Sequence, residues 1–255
     1  MPSIKKESFG KLSDGCEAAL YTLRNSKGNE LKVTNYGARI VSMRFRNKDF
    51  QNKFVLKSYP DVAGYEKDDA AGVVYIDDAK DFDKILWNAE EITEGLKLTA
   101  AVAEKSAEII YSLSNDNEIS ITYKAKGVED ISTQLIFSAD VLTDSRFNIY
   151  DEAKSQGKIA GKNVYSIIDK PAEVLMEVGM FGYDPGCPID WLNSGLKNAA
   201  DIVSEAANIA INVFATQNNL HLEEVDGGFA IKTSGTKSAD GEIKSQTVYV
   251  LKNWN

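Results

Sequence analysis

Short apolar runs recur along the whole chain, each closed by a turn signal within a few residues, and this pattern excludes most fold classes. The stretch from Glu118 to Lys124 alternates strictly between polar and apolar side chains. That period of two marks a strand with one buried face. Asn115-Asp116-Asn117 precedes it as a turn, and Ile109 to Leu113 comes before that, so the unit reads as a hairpin. Further strands are expected at Ala18–Leu23, Glu30–Thr34, Ile40–Phe45, Phe54–Lys57, Leu96–Val102, Ser132–Phe137, Ile209–Phe214, Phe229–Thr233 and Thr247–Leu251. Turns at Asn25-Ser26-Lys27-Gly28, Asp226-Gly227-Gly228 and Asp240-Gly241 separate some of them. The alanines between Ser194 and Ala207 allow a helical turn, but Ala200 to Val203 alternates, and the segment is read as a strand. Long segments of helical period are nearly absent. An all-β sandwich follows, with 1–255 as a single domain, since no fixed-period repeat or Pro-rich linker divides the chain.

Composition bounds the function. A net charge of −9 in 255 residues argues against nucleic acid and anionic membrane as partners. No apolar run is long enough for a spanning helix, and Met1 to Glu7 has no apolar segment after it of the kind a secretory leader needs. Cys16 and Cys187 are too few for a disulfide framework and point to two reduced thiols in a cytoplasmic protein. With one histidine and no CxxC pair, no metal site is expected, and no cofactor motif is present.

Several short motifs occur in an order that resembles one family. Asp81-Phe82-Asp83-Lys84-Ile85-Leu86-Trp87-Asn88-Ala89-Glu90 resembles the "GFDKVLWDAE" segment of aldose 1-epimerases (galactose mutarotases), and Thr34 to Ala38 resembles their "TNYGA". Phe9 to Gly15, Gly64-Tyr65, Tyr111 to Ile119, Gly182-Tyr183-Asp184, Val213 to Gln217 and Gly228 to Ile231 are similar to other family segments. The resemblance implies a mutarotase-like antiparallel β-sandwich, a supersandwich, curving around a concave face. It also implies proton transfer at a sugar anomeric centre by a carboxylate base and a histidine acid, with a second histidine nearby.

At the positions the resemblance assigns to those groups, the residues differ. The base position holds Lys232, the acid position holds Gln134, and the second histidine position, counted back from Phe82, holds Ile76. The family's arginine-bearing segment between "GY" and "HGG" and its "GYPG" loop are absent. In sandwich folds such loops carry binding groups while strands supply the scaffold.

Each candidate has a plain reading beside the functional one. Lys232 is a base only if burial lowers its pKa, and otherwise is an ordinary charged lysine. Gln134 can bond a sugar hydroxyl but cannot protonate a ring oxygen. His221, between Leu220 and Leu222, faces away from their side of its strand, as a titratable group on the concave face or as a surface residue. Asp184 matches an aspartate that the resemblance implies contacts sugar hydroxyls, with Pro185 after it where the family has histidine. Asp77, Asp78, Asp81 and Asp83 form an acidic cluster without the order of an EF-hand. Trp87 is assigned to the core, while Trp191 and Trp254 stay open between core and sugar stacking.

The expected function is mutarotase-like carbohydrate binding without epimerase chemistry. Two alternatives stand beside it. One is an active aldose 1-epimerase, an isomerase, rebuilt on His221 or the Asp77/Asp78 pair. The other is a protein-interaction domain, which would show an exposed apolar patch.

Overall fold

The computed structural model describes residues 2–77, 81–138, 146–149, 164–166, 196–216, 220–225, 228–237 and 241–254. The first five strands are β1 (Ser3–Lys11), β2 (Glu17–Arg24), β3 (Glu30–Thr34), β4 (Ile40–Arg46) and β5 (Asn52–Phe54). A short helix, α1 (Val62–Lys67), follows, then β6 (Val74–Ile76), β7 (Asn88–Ile92), β8 (Gly95–Val102), β9 (Lys105–Leu113), β10 (Glu118–Lys126) and β11 (Asp130–Ser138). The last strands are β12 (Arg146–Ile149), β13 (Val164–Ser166), β14 (Lys197–Ser204), β15 (Ile209–Ala215), β16 (Leu220–Val225), β17 (Gly228–Thr236) and β18 (Glu242–Lys252).

Three sheets result. One holds five strands in the order β1-β2-β3-β4-β5, one holds nine in the order β13-β12-β14-β15-β18-β10-β9-β8-β7, and one holds four in the order β16-β17-β11-β6. Among the described residues the ladders are antiparallel, apart from the parallel β12–β13 pair. The expected hairpin is β9–β10, with Leu113 opposite Ile119 and a tight turn between them. The all-β sandwich expected from the sequence is the architecture observed.

One large apolar cluster draws on all three sheets. On the four-stranded sheet, Leu135, Phe137, Phe229 and Ile231 point into it. Phe137 and Phe229 sit opposite each other in register and stack with centroids 5.3 Å apart and planes 8° from parallel. Such cross-strand aromatic pairs add to sheet stability beyond the area they bury. The opposite face of the same strands carries Ile136 and Ala230, which join a smaller cluster with Phe9, Leu20, Tyr36, Val41, Val62 and Tyr65. The five-stranded sheet and α1 therefore cover one end of that second face.

Two local points differ from the sequence reading. The fifth strand is Asn52–Phe54, not Phe54–Lys57. Beyond Phe54 the chain leaves the five-stranded sheet: Val55 and Leu56 are buried, Leu56 bridges to Phe137, and the Lys57 N–H bonds Ile136 O at 2.8 Å. The segment thus crosses to the four-stranded sheet. The helix α1 was not foreseen, because six residues are too few to show a helical period. It starts where the Asp61 side chain accepts hydrogen bonds from the N–H groups of Ala63 and Gly64, a standard N-cap. The strand expected within Ser194–Ala207 is present as Lys197–Ser204, with a turn following at Glu205.

Trp87 lies in the core, 2% exposed, with its indole N–H donated to Phe82 O at 2.9 Å. Trp254 is partly buried. The largest exposed apolar side chains among the described residues are Phe50 and Phe54. No helix of the structure is long and apolar enough to cross a membrane.

Candidate functional site

Register decides which side chains meet on the less covered face of the four-stranded sheet. Gln134 of β11 lies opposite Lys232 of β17, and Lys232 lies opposite His221 of β16. Three of the residues singled out in the sequence therefore form one row across three strands. Their neighbours in sequence, Thr133, Leu135, Ile231, Thr233, Leu220 and Leu222, are all buried beneath the sheet. A period of two thus holds the row outward. Cross-strand neighbours on one face are about 5 Å apart, so adjacent members of the row fall within reach of one small ligand.

Tyr75 of β6 extends this face. It pairs with Ser132, two residues before Gln134, and shares its parity. The Lys232 ammonium sits 5.2 Å from the Tyr75 ring centroid, in cation–π range. The Tyr75 hydroxyl donates to Asp69 O at 2.8 Å, and burial raises its pKa above the usual phenol value. The Gln134 side-chain N–H₂ donates to Ala70 O at 3.4 Å. A polar strip results: an amide, an ammonium, an imidazole and a half-buried aromatic ring.

Segment 68–72 borders the strip. The Asp68 carboxylate accepts the N–H groups of Ala70 at 2.7 Å and Ala71 at 2.9 Å, and the Tyr59 hydroxyl donates to it as well. Burial opposes its charge, but these hydrogen bonds and Lys57 outweigh burial and hold its pKa below the usual carboxylate value. Asp69 pairs with Lys84 at 2.9 Å, which ties segment 68–72 to segment 81–87. Beneath both segments lies Arg39, wholly buried, 3.6 Å from the buried Asp83 carboxylate. Burial pushes the Asp83 pKa up, and Arg39 opposes that shift.

Ile76, at the position the resemblance gives to a histidine, is fully buried in the main cluster and cannot face the strip. Tyr75 faces it instead. Asp77 sits at the far end of β6 with a left-handed φ of 54°. Its carboxylate accepts from Lys105 at 2.7 Å and from the N–H groups of Glu129 at 2.6 Å and Asp130 at 3.1 Å. It is spent on closing a turn. Asp81 is exposed, Asp83 is buried, and Asp78 lies outside the described residues, so the acidic cluster of the sequence does not share one centre. Among the described residues, no group of three or more His, Cys, Asp or Glu is placed to hold a metal ion. Asp184, Trp191 and Cys187 also lie outside the described residues; Cys16 is a free, exposed thiol.

Two residues of the site region escaped the sequence reading. Tyr75 could have been found by parity, since Val74-Tyr75-Ile76 puts it opposite two apolar neighbours. Arg39 follows the "TNYGA"-like motif directly, but nothing in the sequence marks it as buried.

No family model matches the chain, and no curated protein matches it either. Solved structures do. A GalM/aldose epimerase homologue from C. elegans superposes with a TM-score of 0.66 at 11% identity over 100% of both chains. Galactose 1-epimerase from Lactobacillus acidophilus NCFM gives a TM-score of 0.66 at 13% identity, again over 100% of both chains. A protein from Synechocystis sp. PCC 6803 gives 0.54 at 11% identity, covering 92% of this chain and 96% of its own. The chain therefore has the galactose mutarotase-like β-sandwich fold.

Proposed function

We propose that this protein binds a carbohydrate on the Gln134–Lys232–His221 row and does not catalyse anomer exchange. The observation that carries the reading is the row itself: on a mutarotase-like scaffold, the two positions at which the sequence resemblance places acid and base sit side by side in register, holding an amide and an ammonium. A carboxamide donates and accepts hydrogen bonds, which suits sugar hydroxyls, but it does not titrate. Tyr75 supplies an apolar ring edge beside these groups. Asp184 joins the ligand-binding set by resemblance. We read 1–255 as one domain, because the main core draws on every sheet, and we place the protein in the cytoplasm on its cysteine content.

Titration calorimetry with D-galactose, D-glucose and D-glucuronate tests this reading. One of these sugars should bind, and Gln134→Ala or Lys232→Ala should each weaken binding about tenfold, the worth of one good hydrogen bond to a polar or charged group. A flat titration with all three sugars would rule it out.

A second reading has one observation in its favour. His221 belongs to the row, and its Nε2 lies 3.5 Å from Glu223 Oε2 on the same face. An imidazole beside a carboxylate could exchange protons with a sugar. Both side chains are about half exposed, at 50% and 45%, so water competes for every proton they would move. His221→Ala distinguishes the two readings: it removes exchange activity under the second and leaves none to lose under the first.

A further inference from the structure

Gln134 and Tyr75 are oriented by two backbone carbonyls of one segment, Ala70 O and Asp69 O. What fixes that segment is therefore what sets the geometry of the row. Arg39 is placed to do this. One terminal nitrogen of its guanidinium, Nη1, donates to Asp68 O at 2.6 Å. The other, Nη2, donates to Asp83 O at 3.5 Å and lies 3.6 Å from Asp83 Oδ2. One side chain thus spans segment 68–72 and segment 81–87, which face each other across it. Tyr36 and Tyr65 confine its plane, with centroids 5.7 Å and 6.0 Å from Cζ.

The backbone around Arg39 is shaped for this contact. Gly37, two residues before it, has a φ of +62° and carries no Cβ because Asp83 O would lie 2.2 Å from one. Gly72 has a φ of +63° and packs against Ile40 O, which would lie 2.0 Å from a Cβ. Both segments therefore close onto residues 37–40, the entry to β4 that carries Arg39. A fully buried guanidinium is costly unless its donors are used, and here two are spent on the segments that flank the row.

We infer that Arg39 is a positioning residue: it sets Gln134 and Tyr75 by clamping segment 68–72 against segment 81–87. This rests on the carbohydrate-binding reading only for its effect on affinity. The orientation it imposes exists without ligand and is measurable alone.

The test compares Arg39→Lys, which keeps a charge opposite Asp83 but cannot fork to both segments, with the joint variant Arg39→Met/Asp83→Leu. The joint variant leaves no buried charge uncompensated, so it folds even if Arg39→Met alone does not. NMR of the Gln134 side-chain amide and the Tyr75 ring is recorded for each without ligand, with the Phe137 and Phe229 rings as an internal control. Both variants should shift the Gln134 and Tyr75 signals and leave the Phe137 and Phe229 signals in place. Affinity for whichever of D-galactose, D-glucose and D-glucuronate binds the unaltered protein should fall about tenfold, comparable to losing a direct contact. Gln134 and Tyr75 signals that stay where they are would overturn the inference, and so would a shift of all four, which marks a general structural role. If the unaltered protein ignores D-galactose, D-glucose and D-glucuronate alike, the binding reading fails while the ligand-free signals still decide the role of Arg39.

Discussion

The two faces of strands β11 and β17 differ in what fixes them. On the inner face Leu135, Phe137, Phe229 and Ile231 are at most 1% exposed and belong to the main core. On the other face, Gln134 and Lys232 touch mostly polar groups and one ring. Side chains packed at crystal-like density tolerate little change in shape. Half-buried polar positions tolerate a great deal. One pair of strands can therefore keep a fold while its exposed row takes on different chemistry, which is how a chain only 11–13% identical to aldose epimerase structures retains their architecture.

The contrast breaks most sharply through the core. Phe137→Ala should cost about 3–5 kcal/mol, because it removes a stacked ring and leaves a cavity. Gln134→Ala, three residues earlier in the same strand, should stay within about 0.5 kcal/mol. Urea denaturation of both variants measures the difference, and comparable losses would erase the distinction between the faces.

Arg39→Met probes the seam between the faces. It strands Asp83 as a buried, uncompensated carboxylate and should cost about 3–5 kcal/mol, much of which the joint replacement Arg39→Met/Asp83→Leu recovers. Melting curves of the single and joint variants check this.

Acid probes the rim, where the effect is smallest. Burial disfavours the Asp77 carboxylate, but Lys105 and the Glu129 and Asp130 N–H groups prevail and lower its pKa. A depressed folded-state pKa contributes stability that is present above the unfolded value of about 3.9 and is lost as pH falls through the folded value. Asp77→Asn lacks that contribution. The gap in urea midpoint between the two proteins should hold from pH 6 to about pH 5 and narrow as pH falls below about 3.9, and a constant gap would show that Asp77 is not held ionised by the turn.

Much of the fold was legible because alternation and turn residues are local signals. The β9–β10 hairpin and most strand centres followed from them directly. The exit of Val55 and Leu56 towards the four-stranded sheet was not legible, since an apolar run reads the same in a strand and in a buried crossing. Within the site, the row was half legible. Gln134, Lys232 and His221 each stood out, yet only register places them side by side. Arg39 was silent because a buried arginine is defined by partners far away in sequence, here Asp68 and Asp83.

Anomer exchange is the most direct measurement. On the proposed binding-only reading, two-dimensional exchange NMR of D-galactose and D-glucose with the protein should give α/β exchange no faster than in buffer. Exchange that is accelerated by the protein, and lost in Lys232→Ala, Gln134→Ala or His221→Ala, would contradict this.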